Sequence, residues 1–208
     1  MDIKYFVRTT KDSKVNYDLD YIEICDTKNQ YVQSYIDALN LISDYDAVLL
    51  EDDCILCNNF KEEIEKVINE HPNDIINFFS FPNDYITSHY SANFNYNQCT
   101  YFPKELSKKI VPEIQLTYDK MKYIKSYGAL LNKVLRRMGI IHYIYRPTLV
   151  QHIDARCKIR NTLYFKDYLD KLNISIEEAY KLENQSRLLE LLNKDREKWH
   201  GIVDGMFN

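Results

Sequence analysis

The densest chemistry in the sequence is a run of three carboxylates, Glu51, Asp52 and Asp53, which directly follows the apolar residues 47–50. Charges of one sign repel one another, and each is costly to remove from water unless a cation lies between them. Charge runs usually face solvent, so the triplet alone is weak evidence for a site. Its hard oxygens nevertheless suit Mg²⁺ or Mn²⁺, which keep open positions for phosphate oxygens. The triplet is therefore a candidate divalent-metal site, provided that the fold places it where ligands bind.

A second metal ligand would have to come from a distant part of the chain. The segment LVQHID at residues 149–154 offers His152 and Asp154 just after an extended apolar stretch. A lone histidine is more often a structural residue, and only a meeting with the acidic triplet would favour a ligand. An ion held there could clamp a diphosphate in place of a glycine-rich loop, which a chain with 4 glycines in 208 residues does not provide.

The elements around the triplet alternate between strands and helices. Helical periodicity predicts one helix at 29–43 and another that begins after Asn59, where Glu62 completes a capping box. Such alternation predicts an α/β sandwich with a mostly parallel sheet. Ligands of these sheets bind outside the carboxyl ends of the strands, and the triplet follows such an end. Apolar runs predict the strands at 3–7, 21–25, 46–50 and 74–81.

The second half of the chain is less regular. A short strand is predicted at 99–102, and Pro103 opens a short helix after it. An apolar stripe predicts a longer helix at 119–138, which ends at Gly139. Two extended segments are predicted on either side of Pro147.

Composition and charge bound the class of protein. With 45% hydrophobic and 28% charged residues the chain has globular values, and its length suits one domain with a helical extension. A net charge of -4 argues against a protein that coats nucleic acid. The 5 cysteines include a single C-x-x-C without a second pair at zinc-like spacing, which indicates buried, reduced thiols. The sequence shows no apolar run of membrane-spanning length and no signal peptide, so we expect a soluble cytoplasmic protein.

The order of these motifs resembles a known family. VLLEDD at 48–53, CTYFPKEL at 99–106, an aspartate that opens a helix and YRPTLVQHID at 145–154 resemble small GT-A glycosyltransferases. The similar proteins include bacterial and bacteriophage members and the N-acetylglucosaminyltransferase IV-like group. The resemblance covers residues 1–160 and leaves 161–208 as a helical C-terminal extension packed on that domain.

The resemblance implies a fold and an activity. The fold would be a GT-A sandwich of the α/β class with a mostly parallel central sheet. The enzyme would move a sugar from a nucleotide-sugar, in the first place a UDP-sugar, to an acceptor hydroxyl with the help of Mn²⁺ or Mg²⁺. It further implies that Asp53 binds the metal, that His152 is the second ligand, and that Glu51 and Asp52 face the ribose and the sugar of the donor.

Basic and polar residues are the candidates for holding the nucleotide and its phosphates. By the same resemblance, Arg8 and Thr9 would lie beside the nucleotide, since they follow the first strand. The chain departs from the family after the histidine, where many relatives carry a serine pattern and this sequence has DARCKIR at 154–160. Arg156 and Lys158 could hold the leaving diphosphate or an anionic acceptor there, or they could form a solvated edge.

Asp119 is the candidate for acid–base chemistry. Inverting relatives keep an acid before the long helix, where it deprotonates the acceptor hydroxyl, and Asp119 stands at that place in the sequence. An aspartate before a helix is also a good N-cap. Asp119 is therefore predicted either as the general base of an inverting transfer or as a helix cap.

The sequence leaves the identity of the acceptor open and allows two alternative functions. Aromatic residues crowd the middle loops, and such rings stack on sugars or on flipped bases alike. An envelope saccharide and a hydroxymethylated pyrimidine in bacteriophage DNA are the candidate acceptors. A two-metal nuclease or nucleotidyltransferase is an alternative, although such sites usually take acids from several strands. A non-catalytic divalent-metal binding module is another, although the sequence has no D-x-[DN]-x-[DN]-G loop.

Overall fold

The computed structural model describes most of the first 152 residues of the chain. The described residues are 2–11, 13, 17–27, 30–79, 88–94, 97–121, 123–124, 126–146, 148–152, 173 and 190. The predicted C-terminal extension at 161–208 therefore lies almost wholly outside the described residues, as do the candidate site residues Arg156 and Lys158. No helix within the described ranges is long and apolar enough to cross a membrane.

The described residues form nine strands and four helices. The strands are β1 (Ile3–Thr10), β2 (Tyr21–Asp26), β3 (Asp46–Glu51), β4 (Cys54–Leu56), β5 (Ile76–Asn77), β6 (His89–Ser91), β7 (Cys99–Phe102), β8 (His142–Ile144) and β9 (Val150–His152). The helices are α1 (Tyr31–Ile42), α2 (Phe60–Glu70), α3 (Lys104–Lys120) and α4 (Tyr127–Arg137). Their alternation along the chain confirms the predicted α/β class.

Seven of these strands form a central sheet in the order β2-β1-β3-β7-β5-β8-β6. Among the described strands, β1, β2, β3, β5 and β8 run in one direction, whereas β7 and β6 run in the other. Five of the seven strands thus run in one direction, as predicted for a mostly parallel sheet. The antiparallel strand β7 lies between β3 and β5 and separates the parallel strands into two groups. The remaining strands, β4 and β9, pair with each other as a separate antiparallel ribbon.

The helices cover both faces of the sheet. Side chains of a strand alternate between its faces, so Phe6 packs with α1, α3 and α4, while its neighbours Tyr5 and Val7 pack with α2 on the other side. The central strands are therefore buried on both faces, which explains why they appear in the sequence as continuous apolar runs. Cys54, Cys57 and Cys99 are buried free thiols in the α2-side core, as predicted, whereas the prediction is wrong for Cys25, which is exposed. Cys157 lies outside the described residues.

The helices after β7 differ from the prediction. The helix opened by Pro103 is long, because the burial of Ile110, Val111 and Ile114 continues it past the unfavourable Pro112 to Lys120. The predicted helix at 119–138 therefore begins later, at Tyr127, where the Ser126 hydroxyl accepts a hydrogen bond from the Ala129 amide at 3.3 Å. Two smaller predictions at helix ends had opposite outcomes. Gly139 has a φ of 68° after α4, as predicted, whereas Asn59 is left-handed and makes no side-chain cap at α2.

His142 in β8 should make the stability of the fold depend on pH. Burial lowers its pKa from 6.5 to about 4, against a hydrogen bond to the Ser91 backbone that raises it, and His89 lowers it further. The unfolded state then binds more protons between these two values, so stability is present above pH 6.5 and is lost as the pH falls toward 4. We expect this residue to contribute a loss of about 2 kcal/mol in the free energy of unfolding between pH 7 and pH 5.

The measurement is urea unfolding at the two pH values for the wild type and for His142→Leu. The variant lacks the titrating ring, so its free energy of unfolding should fall less between pH 7 and pH 5, whatever its absolute stability. An equal fall in both proteins would show that another group causes the acid sensitivity.

Candidate functional site

The acidic triplet lies at the carboxyl edge of the parallel strands. β1 pairs with β3 so that Arg8 is opposite Glu51, and β1 pairs with β2 so that Thr10 is opposite Asp26. The chain leaves all three strands at this edge, and Asp52 forms the turn there together with Asp53. The prediction that the triplet lies at the carboxyl end of a strand is confirmed, and Glu51 is the last residue of that strand, β3.

Glu51 forms a buried ion pair with Arg8. The Arg8 Nη2 atom donates to the Glu51 Oε2 atom at 2.7 Å, and Nε lies 3.2 and 3.1 Å from the two carboxylate oxygens. The guanidinium also lies over the ring of Tyr127 at 4.6 Å and near that of Tyr35 at 5.6 Å, and it donates to the Tyr31 carbonyl at 3.4 Å. Only 6% of Arg8 and 7% of Glu51 are exposed, so both side chains are engaged with protein groups.

Burial and charge act in opposite directions on this pair. Burial raises the pKa of the Glu51 carboxyl above its ordinary value, Arg8 lowers it, and the nearby charges of Asp53 and Asp52 raise it again. Burial works to lower the pKa of Arg8, but Glu51, together with Tyr127 and Tyr35, outweighs it, and the pKa of the guanidinium lies above its ordinary value. Each charge therefore depends on the other, because neither would be stable alone in this setting.

Asp52 and Asp53 are less buried than Glu51 and follow it in the turn to β4. The Oδ2 atom of Asp52 accepts a hydrogen bond from the Thr10 amide at 3.2 Å, which ties the turn to the end of β1. Asp53 is close enough to raise the pKa of the buried Cys54 thiol, which burial itself raises most. The hydroxyl of Thr9 donates to Glu23 at 2.6 Å, so this predicted nucleotide contact has a protein partner.

The pairing of β4 with β9 brings the backbone of His152 next to the acidic turn. Cys54, the residue after Asp53, is directly opposite His152 in this antiparallel pair. Opposed residues in such a pair have Cα atoms about 4.5 to 5.5 Å apart. The backbone of His152 therefore lies across from the residue that follows Asp53, although His152 and Asp53 are distant in the sequence.

A metal ion would have to use few protein ligands here. Among the residues that the structure describes, no group of three or more His, Cys, Asp or Glu side chains is placed to hold a metal ion. Mg²⁺, however, is usually bound through one or two carboxylates and the phosphates of its substrate. The half-buried side chains of Asp52 and Asp53 fit that kind of site, whereas the Glu51 carboxylate is already neutralised by Arg8.

The position predicted for Asp119 is wrong, because it does not open a helix. It lies in the last turn of α3, with an exposed side chain whose Oδ1 atom accepts a hydrogen bond from Gln115 at 3.1 Å. The role of helix cap is therefore excluded for the helix that follows, which begins at Tyr127. The role of general base stays a prediction.

Sequence reasoning missed several residues of this edge. Asp26 is buried at the end of β2, beside Thr10, and the strand-end rule that found the triplet could have found it. Tyr35 and Tyr127 stack on each other at 4.5 Å next to Arg8, and Tyr17 contacts the acidic turn. No local pattern distinguishes these from the other tyrosines, of which the chain has 18.

Fold and site together define an α/β protein with an acidic turn at the carboxyl edge of its central sheet. The chain matches no protein-family model, and a search of curated proteins returned no match. Assignment to the GT-A glycosyltransferases stays a prediction from the ordered motifs.

Proposed function

We propose that the chain is a metal-dependent glycosyltransferase of the GT-A type, which transfers a sugar from a UDP-sugar to an acceptor hydroxyl. One observation carries the proposal. The acidic turn and the LVQH segment, which the family resemblance singles out in the sequence, meet through the pairing of β4 with β9.

The residues of the turn then have distinct roles. Asp53 and His152 would hold Mn²⁺ or Mg²⁺, with Asp52 beside them. The ion, when bound, would supply positive charge to the diphosphate of the donor and so favour its departure. Asp52 accepts a bond from the Thr10 amide, and this contact orients the carboxylate at the end of β1.

Arg8 and Glu51 would support the donor site without contacting the donor. Their bidentate pair joins the ends of β1 and β3, and both side chains are buried. They would therefore hold the strand ends together and leave contact with the nucleotide to Thr10 and the turn, since Thr9 is as buried as they are and its hydroxyl bonds Glu23.

The test is a screen of nucleotide-sugars for metal-dependent release of the nucleoside diphosphate. The purified chain is incubated with UDP-, GDP- and ADP-sugars and with Mn²⁺ or EDTA. We expect release of UDP from a UDP-sugar in Mn²⁺ alone, and faster release when the right acceptor, a saccharide or hydroxymethylated DNA, is added. Cleavage of DNA in Mn²⁺ without turnover of any nucleotide-sugar would instead identify a nuclease.

A further inference from the structure

Tyr17 is the residue that closes the acidic turn. Its hydroxyl shares one proton between the carbonyl oxygens of Glu51, at 2.9 Å, and Cys54, at 3.0 Å. The same oxygen accepts a hydrogen bond from the Cys54 amide at 3.2 Å. A single side-chain atom therefore contacts the backbone immediately before and immediately after the two aspartates of the turn.

These contacts replace bonds that the turn backbone would otherwise need. Buried backbone groups are almost always paired, and here a tyrosine hydroxyl supplies the partner on both sides of Asp52–Asp53. The ring of Tyr17 packs in the α2-side core and makes an edge contact with Tyr21 at 6.1 Å between centroids. The packed ring thus holds the hydroxyl in place, and the hydroxyl holds the backbone on both sides of Asp52 and Asp53.

We propose that Tyr17 is a positioning residue for the metal, acting through the backbone of the turn that carries Asp52 and Asp53. The inference rests on the proposed function, because it concerns the ion that these carboxylates would hold. Groups that orient metal ligands typically change metal affinity by about 10 to 100-fold when they are removed. Loss of the Tyr17 hydroxyl should therefore lower the affinity of the turn for the ion, even though Tyr17 would not be a ligand.

The experiment compares Mn²⁺ binding, measured by calorimetry in the presence of UDP, for the wild type, Tyr17→Phe and Tyr21→Phe. We expect Tyr17→Phe to lower the affinity for Mn²⁺ by about 10 to 100-fold. Tyr21→Phe is the matched control, since it removes a hydroxyl from the other ring of the pair, on a residue at the end of β2 opposite the acidic edge. The Mn²⁺ affinity of this variant should equal that of the wild type.

The outcomes separate this inference from the proposed function. A wild type that does not bind Mn²⁺ with UDP overturns the proposed function. A wild type that binds, together with a folded Tyr17→Phe of equal affinity and lower melting temperature, overturns only the positioning role. If Tyr17→Phe does not fold, amide hydrogen exchange in the wild type decides: the Cys54 amide should be protected and become more so with Mn²⁺ and UDP, and unchanged exchange overturns the inference.

Discussion

Replacement of Arg8 by methionine is expected to lower the free energy of unfolding by about 3 to 5 kcal/mol, because it leaves Glu51 as an uncompensated buried charge. Glu51 is only 7% exposed, so water has little access to its carboxylate, and the nearby charges of Asp52 and Asp53 disfavour its ionised form further. Without Arg8, Glu51 should take up a proton in the folded state. Since a raised pKa in the folded state favours protonation there, the deficit should shrink as the pH falls toward 4.5.

The matched control for this prediction is Arg137→Met. Arg137 pairs with Glu113 between α4 and α3, but both side chains are well exposed, and such surface pairs contribute about 0 to 1 kcal/mol. Denaturant unfolding of both variants gives the comparison. The double variant Arg8→Met with Glu51→Leu should recover part of the loss, because no charge then stays buried. An Arg8→Met deficit no larger than that of Arg137→Met would contradict the prediction.

The strands at the centre of the sheet could be predicted because burial leaves a direct mark in the sequence. β1 and β3 lie under helices on both faces, so their buried middle parts, residues 5–7 and 47–50, are continuous apolar runs. Helices α1 and α2 were predictable for a similar reason, since each buries one stripe of side chains. These elements carry the acidic edge, which is why the strand-end rule located it.

Short elements and helix boundaries were not predictable from local patterns. β4 and β6 have three residues each, too few for any periodicity, and their pairing partners β9 and β8 come from much later in the chain. The end of α3 depends on burial that outweighs Pro112, which is a tertiary effect. The error at Asp119 follows from this, because its predicted role depended on where a helix begins.

The contacts within the site were the least predictable part. Tyr17, Tyr35 and Tyr127 come from three separate segments and converge only in the fold. Arg8 was predicted beside the nucleotide, but its partner Glu51 is set by the register of two parallel strands, which the sequence does not specify. Residue type and strand position predict where charge gathers, whereas register decides which charges neutralise each other.

Asp53→Ala is expected to abolish metal-dependent binding of UDP while the fold persists. The carboxylate of Asp53 is the proposed metal ligand at the turn. Loss of a residue that only orients a metal ligand lowers metal affinity by up to about 100-fold, so loss of the ligand itself should lower the Mn²⁺ affinity by at least that factor. The fold should tolerate the change, because Asp53 raises the pKa of Glu51 by repulsion and its removal relieves that repulsion. Calorimetry with Mn²⁺ and UDP measures the first effect, and thermal unfolding measures the second.

The control for Asp53→Ala must remove the same charge elsewhere. Asp44 suits this purpose, since it precedes β3 at the opposite end of the strand and its side chain is 74% exposed. Asp44→Ala changes the net charge as Asp53→Ala does, so a loss of binding caused by general electrostatics would appear in both variants, whereas loss of a ligand appears only in Asp53→Ala. Equal Mn²⁺ affinity in wild type and Asp53→Ala would remove the metal from the turn, and with it the role proposed for the acidic strand end.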